Sequence, residues 1–232
     1  MPLTLCYWDS KGWAEPSRLL LHIFKVDYQE VTWPGFAGWF AKRDEVFTDP
    51  VKTPFPHVPI LIDGDFVLSQ HQVIHNYLIK KYNRLDLLGK TLQEETRVRQ
   101  IDAICTEVHT AVIFKGLLAE DYEAFLTKAF KEDGQFANAI KSFSGFLADK
   151  DFFVGYLTLA DLRATYELKY IRNAALSLGL EDPIVGKYDN LVALIKRVEA
   201  LPELEGYYGG PRDYKYTPDD LGLWYKEYPL EE

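Results

Sequence analysis

Three short stretches of this 232-residue chain bring together residue types that can bind and polarise a small molecule. The first is Tyr7-Trp8-Asp9-Ser10, which sets a phenol, an indole, a carboxylate and a hydroxyl at the end of the apolar run LTLCYW. The second is Val58-Pro59, directly ahead of a strand-like ILI. The third is Ser69-Gln70-His71-Gln72, where hydrogen-bonding side chains open a helical pattern. Ligands in α/β sheets gather beyond strand ends and at helix N-termini, where amides and the helix dipole favour anions. A small anionic ligand across these three points is the physical expectation. Taken alone, Val58-Pro59 is equally a plain strand-starting proline.

Other chemistries find little support. His71 and His75 are spaced one helical turn apart, but without HExxH or a third ligand nearby they read as surface or structural histidines rather than a zinc site. Neither GxGxxG nor GxxxxGK followed by Ser or Thr occurs, and no Ser/His/Asp or Cys/His arrangement can be placed. With 26 basic against 35 acidic residues, the net charge of -9 repels phosphate backbones and argues against nucleic acid as a partner. Cys6 and Cys105 are the only cysteines; both fall in apolar patterns outside CxxC spacing, so they read as buried thiols of a reducing compartment. The opening MPLTLCYWDSKGW has no basic segment followed by an apolar one, and no apolar run is long enough to span a bilayer. The expectation is a cytoplasmic protein with no membrane partner.

The elements that must position these residues follow from periodicity. LTLCYW at residues 3 to 8 suits a buried strand. A helix starts at Glu15-Pro16, carries the stripe Leu19, Leu20, Ile23 and Phe24, and ends by Asp27. Residues 28 to 32 alternate as a second strand, so the first two strands are parallel. A short helix is expected somewhere in 34 to 54. ILI and FVL around Asp63-Gly64 form an antiparallel hairpin, and from Gln70 the pattern Val73, Ile74, Tyr77, Leu78 is helical. Residues 1 to 83 therefore read as a small α/β domain, βαβ followed by ββα.

After a linker at 84 to 91, no further strand signal appears. Val98, Ile101, Cys105, Val108 and Val112 share one helical face, as do Phe136, Ile140, Phe143 and Leu147. Thr158-Leu159-Ala160-Asp161 has the spacing of a capping box, and a last helix over 190 to 201 is closed by Pro202. Residues 92 to 232 read as an all-helical domain that ends in an aromatic-rich tail. That tail reads as an irregular arm over the helical domain; the sharper alternative is a wall of a hydrophobic substrate pocket.

Four segments together, MPLTLCYWDSKGWAEPSRLLL, FPHVPILIDGDFVLSQHQVI, FFVGYLTLADL and YDNLVALIKRVEALPEL, resemble the cytosolic glutathione transferases. The first is similar to the mu class, and its AEPSR resembles the sigma-like enzymes. The resemblance runs in order over roughly residues 2 to 205. It implies a thioredoxin-like α/β domain followed by an all-α domain, with the tripeptide glutathione as co-substrate and no other cofactor. Hydrophobic electrophilic small molecules would be the second substrate, the role would be detoxification, and the chain would form a homodimer.

Residue by residue, the resemblance gives Tyr7 the hydroxyl that hydrogen-bonds the glutathione sulfur and lowers the thiol pKa, a catalytic role. Ser10 is the rival hydroxyl. Val58, before a cis Pro59, would pair its backbone with the cysteinyl part of glutathione. Gln70 would meet the γ-glutamyl end, and His71 stands where the family carries a serine. Trp39 and Arg43 would hold the glycyl end, although Arg43 is nearly as well read as a solvated charge. Trp8 and Trp13 would line the binding surface, with Trp13 in place of a smaller leucine, and His57 replaces an asparagine. Phe55 stands where relatives carry an aromatic key for the neighbouring subunit. Two further readings stay open: a non-catalytic binding or crystallin-like protein on the same scaffold, and a glutathione-dependent isomerase.

Overall fold

The computed structural model describes residues 2–46, 55, 57–115, 121–216 and 230, which fall into two compact units. One holds the chain up to Arg84 together with Pro202 through Tyr216; the other runs from Leu85 to Leu201. The tail positions from 217 to 229, and positions 47 to 54 of the irregular stretch, lie outside the described residues.

The first unit is built on a four-stranded sheet in the order β2-β1-β3-β4. Strand β1 (Leu3–Trp8) pairs in parallel with β2 (Tyr28–Trp33), from Leu3 opposite Tyr28 to Trp8 opposite Trp33. Its other edge runs antiparallel to β3 (Ile60–Asp63), which in turn pairs with β4 (Phe66–Ser69). As an inner strand β1 is buried on nearly every residue, which is why LTLCYW shows no polar alternation. The register sets Asp63 opposite Phe66, so the hairpin turns on Gly64-Asp65. Gly64 has φ 60, the glycine-first pattern of a tight II′ hairpin.

Helix α1 (Glu15–Ile23) links β1 to β2 and packs against α3 (His71–Lys81), with α2 (Gly35–Val46) between β2 and β3. Helix α1 stops earlier than the expected end near Asp27. Lys25 adopts φ 53, its amide bonds His22 O, and Val26 N bonds Leu21 O, a Schellman closure that satisfies the last carbonyls. Helix α3 ends the same way on Asn83, with Arg84 N on Ile79 O.

The second unit holds α4 (Leu92–Thr110), α5 (Tyr122–Ala129), α6 (Gln135–Leu147), α7 (Leu159–Ser177) and α8 (Asp189–Glu199). Helix α7 is the centre: every residue from Leu159 to Ala175 is buried, including the pairs Arg163–Asp102 at 2.6 Å and His109–Glu167 at 3.2 Å with α4. Helix α5 has no counterpart in the expectations above; at eight residues it is too short to display a clear period. The tail also differs from expectation. Residues 202 to 216 pack on the first unit instead of the helical one, because buried charges there, Lys11 and Glu30 among them, find their partners in Asp213 and Arg212.

Asp161 anchors the start of α7. Its carboxylate accepts from Thr158 N at 2.7 Å, Thr158 Oγ1 at 2.9 Å and Phe153 N at 2.9 Å. Burial nevertheless raises its pKa from 3.8 to about 6, since desolvation of the charge outweighs these donors. The folded value lies above the unfolded one, so Asp161 contributes most below pH 3.8 and that contribution is lost as pH rises through about 6. Asp161→Ala strands two buried amides and is expected to cost about 2–4 kcal/mol in urea denaturation. The gap between wild type and variant should narrow as pH is raised through that window.

Candidate functional site

Tyr7 is the penultimate residue of β1 and is fully buried. Its hydroxyl oxygen accepts the backbone N–H of Trp13 at 3.0 Å. That bond engages an oxygen lone pair and leaves the hydroxyl proton to be donated elsewhere. Burial pushes the phenol well above its ordinary pKa, against the lowering effects of the Trp13 amide and the Arg18 charge. Tyr7 is thus a neutral donor at physiological pH and not a base. In a desolvated setting its hydrogen bond to an anion is strong.

The loop that supplies the Trp13 amide is held tightly against the phenol. Gly12 has φ 41, and a Cβ built there would lie 2.3 Å from the Tyr7 hydroxyl, so only glycine fits. From α1, the buried guanidinium of Arg18 donates to Ser10 O at 2.7 Å, Lys11 O at 3.2 Å and Trp8 O at 3.4 Å. Its Nε meets Glu30 at 2.5 Å. Ser10, the rival hydroxyl, is buried, and among the described residues its Oγ has no hydrogen-bond partner.

Around Tyr7 the structure gathers several of the residues singled out from sequence. Trp8 lies 5.0 Å from the Tyr7 ring centroid at 42°. The ring of Trp13 stacks on His71 at 5.9 Å and 5°, and His71 meets His75 edge-on at 5.6 Å. Both histidines are buried, and among the described residues no group of three or more side chains could hold a metal. Gln70 caps α3 with its carbonyl, which accepts Val73 N and Ile74 N, while its side chain is exposed. Its φ of 75 and ψ of 106 are a strained conformation for a residue with a side chain, of the kind that concentrates at binding sites. The Val58–Pro59 peptide is cis, immediately ahead of β3.

The remaining positions are spread over the same unit. On α2, Trp39 is buried against Trp33 at 4.9 Å, and the exposed Arg43 lies with its guanidinium 5.8 Å from the Phe40 ring. His57 is exposed, with its amide on Phe55 O, and Phe55 is 62% exposed. Sequence reasoning missed Arg18, Gly12 and Lys11. Arg18 left one signal, a charged residue directly ahead of the apolar run Leu19-Leu20-Leu21 and three positions after Glu15, which places both charges on one helix face.

The family model for the glutathione S-transferase C-terminal domain matches residues 113–209. Glutathione S-transferase Mu 4 of Mus musculus is 28% identical over 215 residues, covering 89% of this chain and 90% of its own. Glutathione S-transferase 2 of Gallus gallus is 30% identical over the same length and coverage. The chain belongs to the glutathione S-transferase family. A solved structure, rat hPGDS complexed with a quinoline, shares the fold with a TM-score of 0.73 at 23% identity, covering 91% of this chain and 98% of that one. This glutathione S-transferase fold, a mixed four-stranded sheet with helices and a separate helical unit, is the architecture expected from the sequence.

The contact between Gly12 and Tyr7 is directly testable. Gly12→Ala adds a methyl group against the phenol at a positive φ, and is expected to lower stability by about 1–3 kcal/mol. Thermal unfolding of the variant would check this, and an unchanged midpoint would mean that the loop does not press on Tyr7.

Proposed function

We infer that the chain is a glutathione transferase that conjugates the glutathione thiolate to hydrophobic electrophiles. The observation that carries this reading is the Tyr7 hydroxyl, whose oxygen accepts the Trp13 amide and whose proton remains to be given. Donated to a sulfur, that proton stabilises the thiolate over the thiol and lowers the thiol pKa, so more nucleophile is present at neutral pH. The thiol proton passes to solvent. The sulfur lone pair then forms a bond to an electrophilic carbon, and with an aryl halide the halide leaves with its bonding electrons.

The other residues take the roles that the family resemblance gives them. Val58, with its cis bond to Pro59, would pair its backbone with the cysteinyl unit. Gln70 and the first amides of α3 would hold the γ-glutamyl carboxylate, favoured by the helix dipole, with His71 standing where relatives use serine. Trp39 and Arg43 would meet the glycyl carboxylate, Arg43 in a bidentate pair. Trp8 and Trp13 would wall the sulfur, and His57 would flank Val58. Glutathione serves as co-substrate, with no other cofactor. Two free buried thiols, Cys6 and Cys105, and the absence among the described residues of a helix able to cross a membrane fit a cytoplasmic protein.

A homodimer fits the surface. In the second unit a groove of about 490 Å³ between α4 and α6 is lined by Ile101, Ile104, Phe136, Phe143 and Phe146, and Phe55 is an exposed ring of suitable size to enter the groove of a second copy. Burying such a ring in an apolar pocket contributes about 1.5–3 kcal/mol per site. Phe55→Ser should therefore raise the dimer dissociation constant by about two to four orders of magnitude, at about 1.4 kcal/mol per decade and two sites per dimer. Sedimentation analysis would show it, and an unaltered dimer would remove Phe55 from the interface.

The functional test is conjugation of glutathione to a generic aryl halide across a pH series, comparing wild type with Tyr7→Phe. The variant should lose about 10²-fold in rate near neutral pH, the scale for removing one hydrogen-bond donor from a developing anion, and its pH profile should move upward. A wild type that binds glutathione without consuming it would overturn conjugation in favour of an isomerase or a binding protein.

A further inference from the structure

The tail segment from Tyr207 to Tyr216 makes an unusual set of contacts with the loop between β1 and α1. Lys215 forms a parallel bridge with Ser10, and its carbonyl accepts Lys11 N at 2.6 Å. Asp213 meets the Lys11 ammonium at 2.7 Å, and this lysine is only 2% exposed. The same ammonium lies 4.5 Å over the ring of Tyr216. Asp213 is itself held in place, because its other carboxylate oxygen accepts Gly209 N at 2.7 Å.

Neighbouring contacts fix the arm to the sheet. Arg212 donates to Tyr28 O at 3.0 Å, lies 3.9 Å over the Tyr28 ring, and approaches Glu30 at 3.5 Å. Tyr214 stacks under the guanidinium of Arg18 at 4.3 Å. Lys11 is thus gripped from two sides: its carbonyl and that of Ser10 by Arg18 from α1, its amide and ammonium by the arm. Two residues further on, the Trp13 amide bonds the Tyr7 hydroxyl, with Gly12 pressed against the phenol between them.

We propose that the C-terminal arm positions the catalytic hydroxyl, with Lys11 and Asp213 acting as positioning residues that hold the Trp13 amide on Tyr7. The proposal rests on the reading of Tyr7 as the thiolate-stabilising donor. The arm adds a strand-like rung to the loop, and the buried ion pair fixes where that rung sits. A hydroxyl that accepts a well-aligned amide is a better donor through its own proton, since hydrogen bonds in a chain polarise one another. Loosening the loop weakens that alignment without removing any group that touches the ligand. The effect therefore appears in the acidity of the bound thiol, and in the strength of glutathione binding only at pH values where the bound thiol is ionised. No contact in this set comes from a residue assigned to hold the tripeptide's backbone or carboxylates.

The test uses the full-length chain and four variants: Asp213→Asn, Lys11→Met, Tyr7→Phe, and Asp213→Asn combined with Tyr7→Phe. Thiolate absorbance of bound glutathione, read across a pH series, reports the thiol pKa. Asp213→Asn and Lys11→Met should each raise it by about half to one unit, so that kcat at saturating glutathione falls about 3–10-fold below neutral pH and recovers as pH rises. At pH values below the bound thiol pKa the KM for glutathione should stay within about twofold, because there the neutral thiol is the form bound and its contacts are unaltered. In the Tyr7→Phe background, Asp213→Asn should have no further effect on the thiol pKa, the non-additivity expected of residues acting through one group. Trp13 amide hydrogen exchange should quicken in both single arm variants, a readout that needs no ligand.

The outcomes separate cleanly. If Tyr7→Phe raises the thiol pKa while Asp213→Asn and Lys11→Met leave both that pKa and Trp13 exchange unchanged, the arm has no positioning role. A pH-independent loss of activity in the arm variants, or an equal loss in the Tyr7→Phe background, would mark their role as merely structural and overturn the proposal. If Tyr7→Phe itself leaves the thiol pKa unmoved, the reading of Tyr7 fails, and the positioning role falls with it.

Discussion

The candidate site depends on one buried cation. Arg18 has no exposure, yet it gathers the carbonyls of Trp8, Ser10 and Lys11 beyond the end of β1, the last of them shared with Glu15 N. A strand that ends inside a protein must hand its backbone groups to something, because an unpaired buried carbonyl costs free energy comparable to a lost hydrogen bond. Here one planar guanidinium takes three of them, and a lysine at that position could not reproduce the fork. Burial works against the charge of Arg18, and Glu30 and then Glu15 more than offset it. This is the arrangement in which a buried charge is tolerated: paired and hydrogen-bonded.

What Arg18 fixes, Tyr7 uses. The loop from Asp9 to Ala14 is short and carries a glycine at positive φ, so on its own it has little to hold its shape. Pinned by Arg18 within, it presents a single amide to a single phenol. The consequence is a hydroxyl that is neutral, oriented and dry, which are the properties a donor to a thiolate needs and a general base does not. For the proposed thiolate-stabilising role, the phenol's raised pKa is no obstacle. A tyrosine that readily lost its proton would have nothing to give to sulfur.

Sequence alone revealed those features that are local and failed on those that are not. Strand β1, the Asp63–Phe66 hairpin, the start of α3 at His71 and the Thr158–Asp161 cap of α7 all rest on neighbours within a few positions, and each can be read from spacing. The early stop of α1 rests on Lys25 in a left-handed conformation, which lysine does not advertise. Among the site residues, Tyr7, Trp8, Trp13 and His71 were legible through family resemblance and do cluster. Gly12 was not, because its constraint is a contact with the folded Tyr7 ring that spacing does not show, and Lys11 and Asp213 were not, because they pair across some 200 positions. The tail's aromatic and glycine content suggested an irregular arm over the helical domain or the wall of a substrate pocket. Its charges decided where residues up to 216 lie.

Two departures from the pattern that the family resemblance implies meet each other in the structure. Trp13 stands in place of a smaller leucine and His71 in place of a serine, and considered separately each looks like damage to a binding surface. In the structure their rings stack in parallel at 5.9 Å. The contact ties the loop between β1 and α1 to the first turn of α3. Reverting only one of them would leave the other ring without its partner and open a void, the costly half of a large-to-small exchange. The pair is therefore better understood as one contact made from two positions, which joins the loop after β1 to the start of α3 through side chains.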